Sequence, residues 1–486
     1  MSIATVSLNS GVIPTKVNRS KLKSRIVHIG FGAFHRAHQG LYTSEMLEKT
    51  DSDWGICEVN LFGGEALIKH LRQQDHLYTV AEKGAEETVL KVAGAVKESL
   101  HPALDGTRAV IEKMAEPQVA IVSMTITEKG YCADHTTGQL DKNNPLIVND
   151  LQQPLQPKSA IGYIVQALKL RRERNLQAFT VMSCDNVQEN GHIAKSVIIA
   201  FAKLLDVELS EWIESNVRFP CTMVDRIVPA VTTETLDEIT SLLGVEDPCA
   251  IACEPFRQWV IEDNFVAGRP DWDVMGAEFV ADVVPYEEMK LRMLNGSHSF
   301  LAYLGYLGGY AYISDTMRDL NYRKAAFDIM FKAQAPSLSM PEGTDLYSYA
   351  ISLIERFSNP SLKHQTAQIA MDGSQKIPQR MGKSLQYHLE KGSDFKWLAL
   401  GIAGWMRFVS GVDEKGDKIE VHDPMAKMLK DVLDSHEQRA SAVPVLLSIE
   451  TIFDPIIGQD PNVIAAVKSA YQSLLDKGAK ATVAEL

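Results

Sequence analysis

The sequence holds no run of about 18 uncharged apolar residues, the length a helix needs to cross a bilayer. Its opening residues, 1–24, are polar and carry no apolar stretch of the kind found in secretion signals. Neither a membrane span nor a signal peptide is expected, and the expected location is the cytoplasm. Positive charge is also scarce: 49 Lys and Arg stand against 62 Asp and Glu, a formal net charge of −13. Nucleic-acid binding needs clustered cations on the phosphates, so this balance argues against it. An anionic substrate would need its own local group of positive side chains. Cysteine is sparse, six in 486 residues. The close pair Cys249 and Cys253 has no second pair or histidine beside it, so no zinc-type ligand set emerges. The six are expected to be buried thiols in a reducing compartment, and no metal is expected. Internal repeats and low-complexity tracts are absent as well.

What remains is the composition of a folded globular protein, 45% hydrophobic and 23% charged. The length suggests two domains. In the first half, short apolar runs alternate with helical patterns. Residues 25–30 (RIVHIG), 55–59, 118–124 (QVAIVSM) and 178–183 (AFTVMS) read as strands, and residues 161–174 and 193–205 as helices. This alternation implies an α/β domain with a mostly parallel sheet covered on both faces. Beyond about residue 285 strand signals nearly vanish. Helical patterns run over 288–307, 323–335, 345–357, 384–390, 398–409, 424–433 and 462–475. The expected organisation is an α/β domain over 1–285 and a helical domain over 286–486.

The segment HIGFGAFHRAH places Gly30 and Gly32 between the first strand and a helix. A dinucleotide fold needs this arrangement: one glycine for the tight turn, one for close approach of backbone N–H groups to a pyrophosphate, then a helix start. The helix start here is Ala33, Phe34, His35 and Arg36, with His35 at the position of the usual third glycine and both cations expected to face phosphate. Near the end of the second strand, Glu58 and Glu65 are two candidates for the adenosine ribose. Either would favour NAD over NADP.

The segment PYEEMKLRMLNGSHSF contains Lys290, Asn295 and His298. On an ideal α-helix they fall at about 0°, 140° and 80°, with Glu287 at about 60°, so all four share one broad face. Leu291 and Leu294 lie in the same arc and could wall the lysine off from water. Burial disfavours an ammonium ion, and a lysine so treated can act as a general base. Oxidation of a secondary alcohol by hydride transfer needs such a base, and it needs N–H donors on the developing alkoxide, which asparagine supplies. Histidine can orient the oxygen and glutamate can relay the proton. An amphipathic helix with a solvated polar face has the same pattern. Asn186, in SCDNVQENG after the fourth strand, stands where α/β sheets bind ligands and could be a second such donor; it also suits a turn or helix cap. Asp225 and Arg226 are embedded in the apolar FPCTMVDRIVP, as a functional group or an ion pair. Lys376 follows the DGSQK turn.

Taken together, GFGAFHRAHQ, SMTITEKGYC, TVMSCDN, FPCTMVDRIVP, CEPFRQWVIEDNF and KLRMLNGSH resemble the signatures of the mannitol dehydrogenase family, the polyol-specific long-chain dehydrogenases. The resemblance runs over nearly the whole chain. It implies an N-terminal Rossmann-type domain, a mostly α-helical C-terminal domain, NAD as cofactor, no metal and a sugar acid or polyol as substrate; it leans towards a monomer and leaves the oligomeric state open. It assigns Lys290 as general acid/base, Asn186 and Asn295 as the oxyanion pair, His298 as the substrate-orienting residue, Glu287 as the proton relay, and Asp225 and Lys376 as substrate contacts. Gln368 departs from the mannitol branch, which has arginine there. The wording of residues 358–380 and 250–265 resembles the branch that reduces fructuronate. Mannitol oxidation, tagaturonate reduction and a catalytically silent NAD-binding role stay open alternatives. So does the cation for a carboxylate, with Lys363, His364 and Arg380 close to Lys376 in sequence.

Overall fold

In the computed structural model, which describes residues 3–134 and 137–486, the chain forms two units, Met1–Val284 and Pro285–Leu486. The strands of the first unit are β1 (Lys23–Ile29), β2 (Trp54–Val59), β3 (Tyr78–Lys83), β4 (Thr88–Ala93), β5 (Val96–Leu100), β6 (Ile121–Met124), β7 (Thr180–Ser183), β8 (Thr222–Asp225), β9 (Ile251–Cys253), β10 (Gln258–Glu262) and β11 (Glu278–Val280). Five of them form one sheet in the order β5-β2-β1-β6-β7, with every neighbouring pair parallel. Every residue of β2, β6 and β7 is buried, as parallel strands covered on both faces are. One face packs Val27, Ile29 and Val122 on Ile161, Ile164 and Val197 from the helices Ala160–Glu173 and Asn190–Leu205. The other face packs Ile26, Ile121 and Met182 on Tyr42, Met46, Trp259 and Trp272. Strand order reverses between β1 and β6, the switch point at which such sheets hold ligands beyond their carboxyl ends.

Two smaller sheets, β4-β3-β9 and β11-β10-β8, complete the first unit. In them β3 and β4 form an antiparallel hairpin closed by Gly84 donating to Glu87 O. The six cysteines are buried free thiols.

The second unit is helical. Its centre is formed by Ser297–Leu307 and Lys396–Phe408, the latter buried from Trp397 through Phe408. They approach closely because Gly404 has no side chain: a Cβ there would lie 2.9 Å from Leu304 Cδ2. The reading of residues 288–307 as one α-helix needs correction. Val284–Met289 is α-helical, Lys290–Gly296 is wound as a π turn, and α geometry resumes at Ser297. Two further π turns occur at Ile329–Gln334 and Pro378–Gly382. No helix among the described residues is long and apolar enough to cross a membrane.

Candidate functional site

The turn after β1 is shaped by Gly30, whose φ is +110°. A Cβ there would also collide with the backbone oxygen of Thr125, just past β6, so glycine is required on two counts. Thr125 Oγ1 closes the turn by donating to Gly30 O at 2.9 Å, and Asn60, after β2, accepts from Phe31 N at 2.8 Å. Gly32 is exposed and caps the short helix Ala33–Ala37. The first-turn amides of that helix have no acceptor within it. The turn thus offers main-chain N–H groups at the switch point, with no side chain at Gly32 to block a ligand. That is the form a dinucleotide pyrophosphate fits.

The side chains of His35 and Arg36 do not face outward as expected. His35 is fully buried, with Nε2 2.7 Å from Glu58 Oε1, and its ring stacks on His28 at 3.4 Å. Arg36 is buried and donates to Cys249 O. Glu58 has no exposed surface. Burial raises its carboxyl to about 8 and lowers His35 to about 3, so the uncharged forms are favoured and the two share a hydrogen bond between neutral groups. Glu58 therefore lies beneath the turn, while Glu65 is exposed at the start of Glu65–Gln73, just past the left-handed Gly63 and Gly64. His28, His35 and Glu58 also bring ligand atoms within 4.8 Å of one another, a spacing a metal ion can use. The rings are nearly parallel, 14° apart, so their in-plane lone pairs run side by side instead of converging. We read the group as a hydrogen-bonded cluster.

Past β6 and β7 the loops are tied by a residue that the sequence reading overlooked. Asp185 is buried and accepts from Ile126 N at 3.1 Å, Thr127 N at 2.8 Å and Tyr131 OH at 2.7 Å. Asn186 is the next residue and is exposed, directly after this anchor. Asp225 is buried at the end of β8. The charge beside it, Arg226, is structural: it pairs with Glu82 and donates to Ala37 O and Glu254 O.

In the second unit, Lys290 opens the π turn and is only 9% exposed. Residues five apart are about 140° apart on an α-helix, but the wider i→i+5 winding brings them closer to one side. The wide turn therefore aligns Lys290 with Asn295 more closely than the sequence reading supposed. His298 follows one turn on, and Glu287 is buried one turn before. Gly296 admits the Gln334 side chain, with which a Cβ would collide. Gln334 Nε2 donates to Arg380 O at 3.4 Å, and Arg380 Nη1 donates to Asn295 O at 3.2 Å and to Ser299 Oγ at 2.8 Å. The three π turns are thus bonded to one another around Asn295. His298 stacks on Phe357 at 4.9 Å and meets the edge of His364 at 4.8 Å. Its pKa is pushed well below the usual histidine range by burial, then by the charges of His364, Arg380, Arg356 and Lys376. It is a neutral imidazole whose buried Nε2 has no hydrogen-bond partner. Lys376 is half-buried and donates to Met371 O at 2.6 Å. Gln368 is exposed on Thr366–Ile369.

Comparison with known proteins identifies the family. Residues 24–274 match the mannitol dehydrogenase Rossmann domain, and residues 282–475 match the mannitol dehydrogenase C-terminal domain. The D-mannonate oxidoreductase of Escherichia coli strain K12 is 62% identical over 99% of both chains. Mannitol dehydrogenase 2 of Saccharomyces cerevisiae is 40% identical over 98% of this chain and 94% of its own. Among solved structures, the Pseudomonas fluorescens mannitol 2-dehydrogenase, in ternary complex with NAD and D-mannitol, superimposes with a TM-score of 0.82 at 38% identity over 98% of this chain and 97% of its own. A D-sorbitol dehydrogenase in substrate-free form gives a TM-score of 0.92 at 33% identity over 99% of both chains. With its Rossmann-type sheet, its helical second unit and both family domains matched, the chain belongs to the mannitol dehydrogenase family of oxidoreductases.

Proposed function

We propose that this chain interconverts D-fructuronate and D-mannonate with NAD(H). The observation that carries the reading is the 62% identity, over 99% of both chains, to a D-mannonate oxidoreductase. NADH, when bound, supplies the hydride that adds to the ketone carbon. Lys290 gives the proton to the resulting alkoxide oxygen, and takes it back in the reverse direction. The side-chain N–H groups of Asn186 and Asn295 hold that oxygen as its charge develops. His298, neutral and with Nε2 unsatisfied, orients the same oxygen, and Glu287 carries the proton between Lys290 and solvent. Asp225, Lys376 and Gln368 contact the remainder of the substrate. An initial-rate panel of fructuronate, tagaturonate and fructose with NADH tests the reading. Preferred reduction of tagaturonate would move the chain to the epimeric uronate branch.

The pyrophosphate is assigned to the main chain of Gly30, Gly32, Ala33, Phe34, His35 and Arg36, and the ribose to Glu65, the exposed acid beyond β2. A 2′-phosphate there would meet a carboxylate, so kcat/KM with NADH should exceed that with NADPH by at least about tenfold, about 1.4 kcal/mol. A ratio favouring NADPH removes Glu65 from this role.

No step of this chemistry needs a metal. Dialysis against a strong chelator should leave the rate unchanged. Activity lost on chelation and restored by zinc would contradict the lysine-centred mechanism and turn attention to His28, His35 and Glu58.

A further inference from the structure

Arg380 and Lys376 are two cations four residues apart, where helical winding puts side chains on one side and like charges repel. Both are partly withdrawn from water: burial lowers Arg380 to about 10, and burial followed by the charge of Arg380 lowers Lys376. Among the described residues neither forms an ion pair with a carboxylate; Lys376 has Met371 O, and Arg380 has Asn295 O and Ser299 Oγ. A half-buried charge without a counter-ion still carries a desolvation cost, and at three other arginines the protein itself supplies the compensation. Arg226 is paired with Glu82 and Arg292 with Glu288. Arg171 has no carboxylate but donates to the carbonyls of Gln177, Met114, Glu116 and Val119. Arg380 engages protein acceptors through Nη1 alone. Its Nε and Nη2, the parallel fork that binds a carboxylate with two hydrogen bonds, have none among the described residues.

Where the fork sits matters as much as its being unfilled. Its Nη1 anchor is the carbonyl of Asn295, and its charge acts on His298. His298 Nε2 and the hydroxyl of Tyr303, which is close enough to Arg380 to feel its charge, are both buried without partners. Unsatisfied donors and two uncompensated cations therefore gather beside residues assigned to the reacting oxygen. We propose that Arg380, together with Lys376, receives the carboxylate of the substrate and so selects sugar acids over neutral sugars. This rests on the reading of the substrate given above. Arg380 is the specificity-determining member, because its fork matches a carboxylate where the single ammonium of Lys376 does not.

The test is steady-state kinetics of Arg380→Gln and Arg380→Lys on fructuronate and fructose, alongside thermal melts and NADH titration. Loss of a buried charged partner should lower kcat/KM for fructuronate on the order of 30-fold or more in Arg380→Gln, chiefly through KM. The fall on fructose should be smaller by at least about tenfold, or about 1.4 kcal/mol. Arg380→Lys, which keeps the charge and loses the fork, should recover part of the fructuronate activity. Equal losses on the two ketoses, or a loss in kcat with KM unchanged, would overturn the proposal and leave Arg380 as a brace for Asn295. If Arg380→Gln does not fold, Arg380→Lys decides alone: an unchanged KM for fructuronate refutes the fork. A wild-type enzyme that reduces fructose but neither uronate removes the sugar-acid reading itself, and this proposal with it.

Discussion

Lys290→Ala should lose turnover by roughly 10²–10⁴-fold or more, with NADH binding largely retained. The magnitude follows from the proposed task. A ketone accepting a hydride becomes an alkoxide, and without a positioned acid the proton must come from water, at lower driving force and with worse orientation. Lys290 is suited to the work because it is held at 9% exposure at the mouth of a π turn, with Met293 and Leu294 of that turn buried in the core of the second unit. The turn itself is braced by Arg380 and Gln334, so truncating one side chain should leave Asn295 and His298 in place. Stopped-flow single turnovers would separate hydride transfer from release of product, and fluorescence titration would report NADH binding. A variant that keeps more than a third of the wild-type kcat would sink the assignment of Lys290 as the acid/base.

The strands at the centre of the large sheet were legible because both of their faces are covered, and double burial leaves a continuous apolar run. β3 and β4 were not. Lys83 and Lys91 reach their ionic partners from the sheet, and those charges break up the run that would mark a strand. The glycine turn was legible as a turn. The direction of its side chains was not, since His35 reaches Glu58 across 23 residues of sequence, and a histidine at a helix start looks the same whether it faces phosphate or core. Lys290, Asn295 and His298 could be singled out by residue type and by resemblance, but not their geometry. A π turn adds a residue without changing the apolar pattern on either side, so nothing in KLRMLNG distinguishes it from one more turn of α-helix. Arg380 was visible only as a cation close to Lys376. What marks it is partial burial without a counter-ion, and burial is a property of the fold.

Fructuronate should exceed fructose in kcat/KM by at least about 10³, on the order of 4 kcal/mol. The two ketoses share the reacting carbonyl and differ at one end, a carboxylate against a hydroxymethyl group. The groups assigned to the carbonyl, Lys290, Asn186, Asn295 and His298, therefore act on both alike and cannot discriminate. Selection must come from what meets the far end. A carboxylate entering a site with unpaired half-buried cations gains charge-assisted hydrogen bonds and offsets the cost of their partial desolvation at once. The hydroxymethyl group offers no charge, and leaves those cations as uncompensated in the complex as in the free protein. Sites built on hydrogen bonds to a particular group reject analogues lacking it far more strongly than apolar pockets reject a missing methylene, because the unpaired partner remains buried. The exposed Gln368, where the mannitol branch is expected to have arginine, fits the same logic in reverse: its amide adds no charge, and the positive side chains stand instead at Lys376 and Arg380. Competition adds an independent check, since D-mannonate should inhibit fructuronate reduction at concentrations where D-mannitol does not. Comparable efficiency on fructuronate and fructose would return this chain to a mannitol 2-dehydrogenase activity, and the cations beside His298 would then need another anion to account for them.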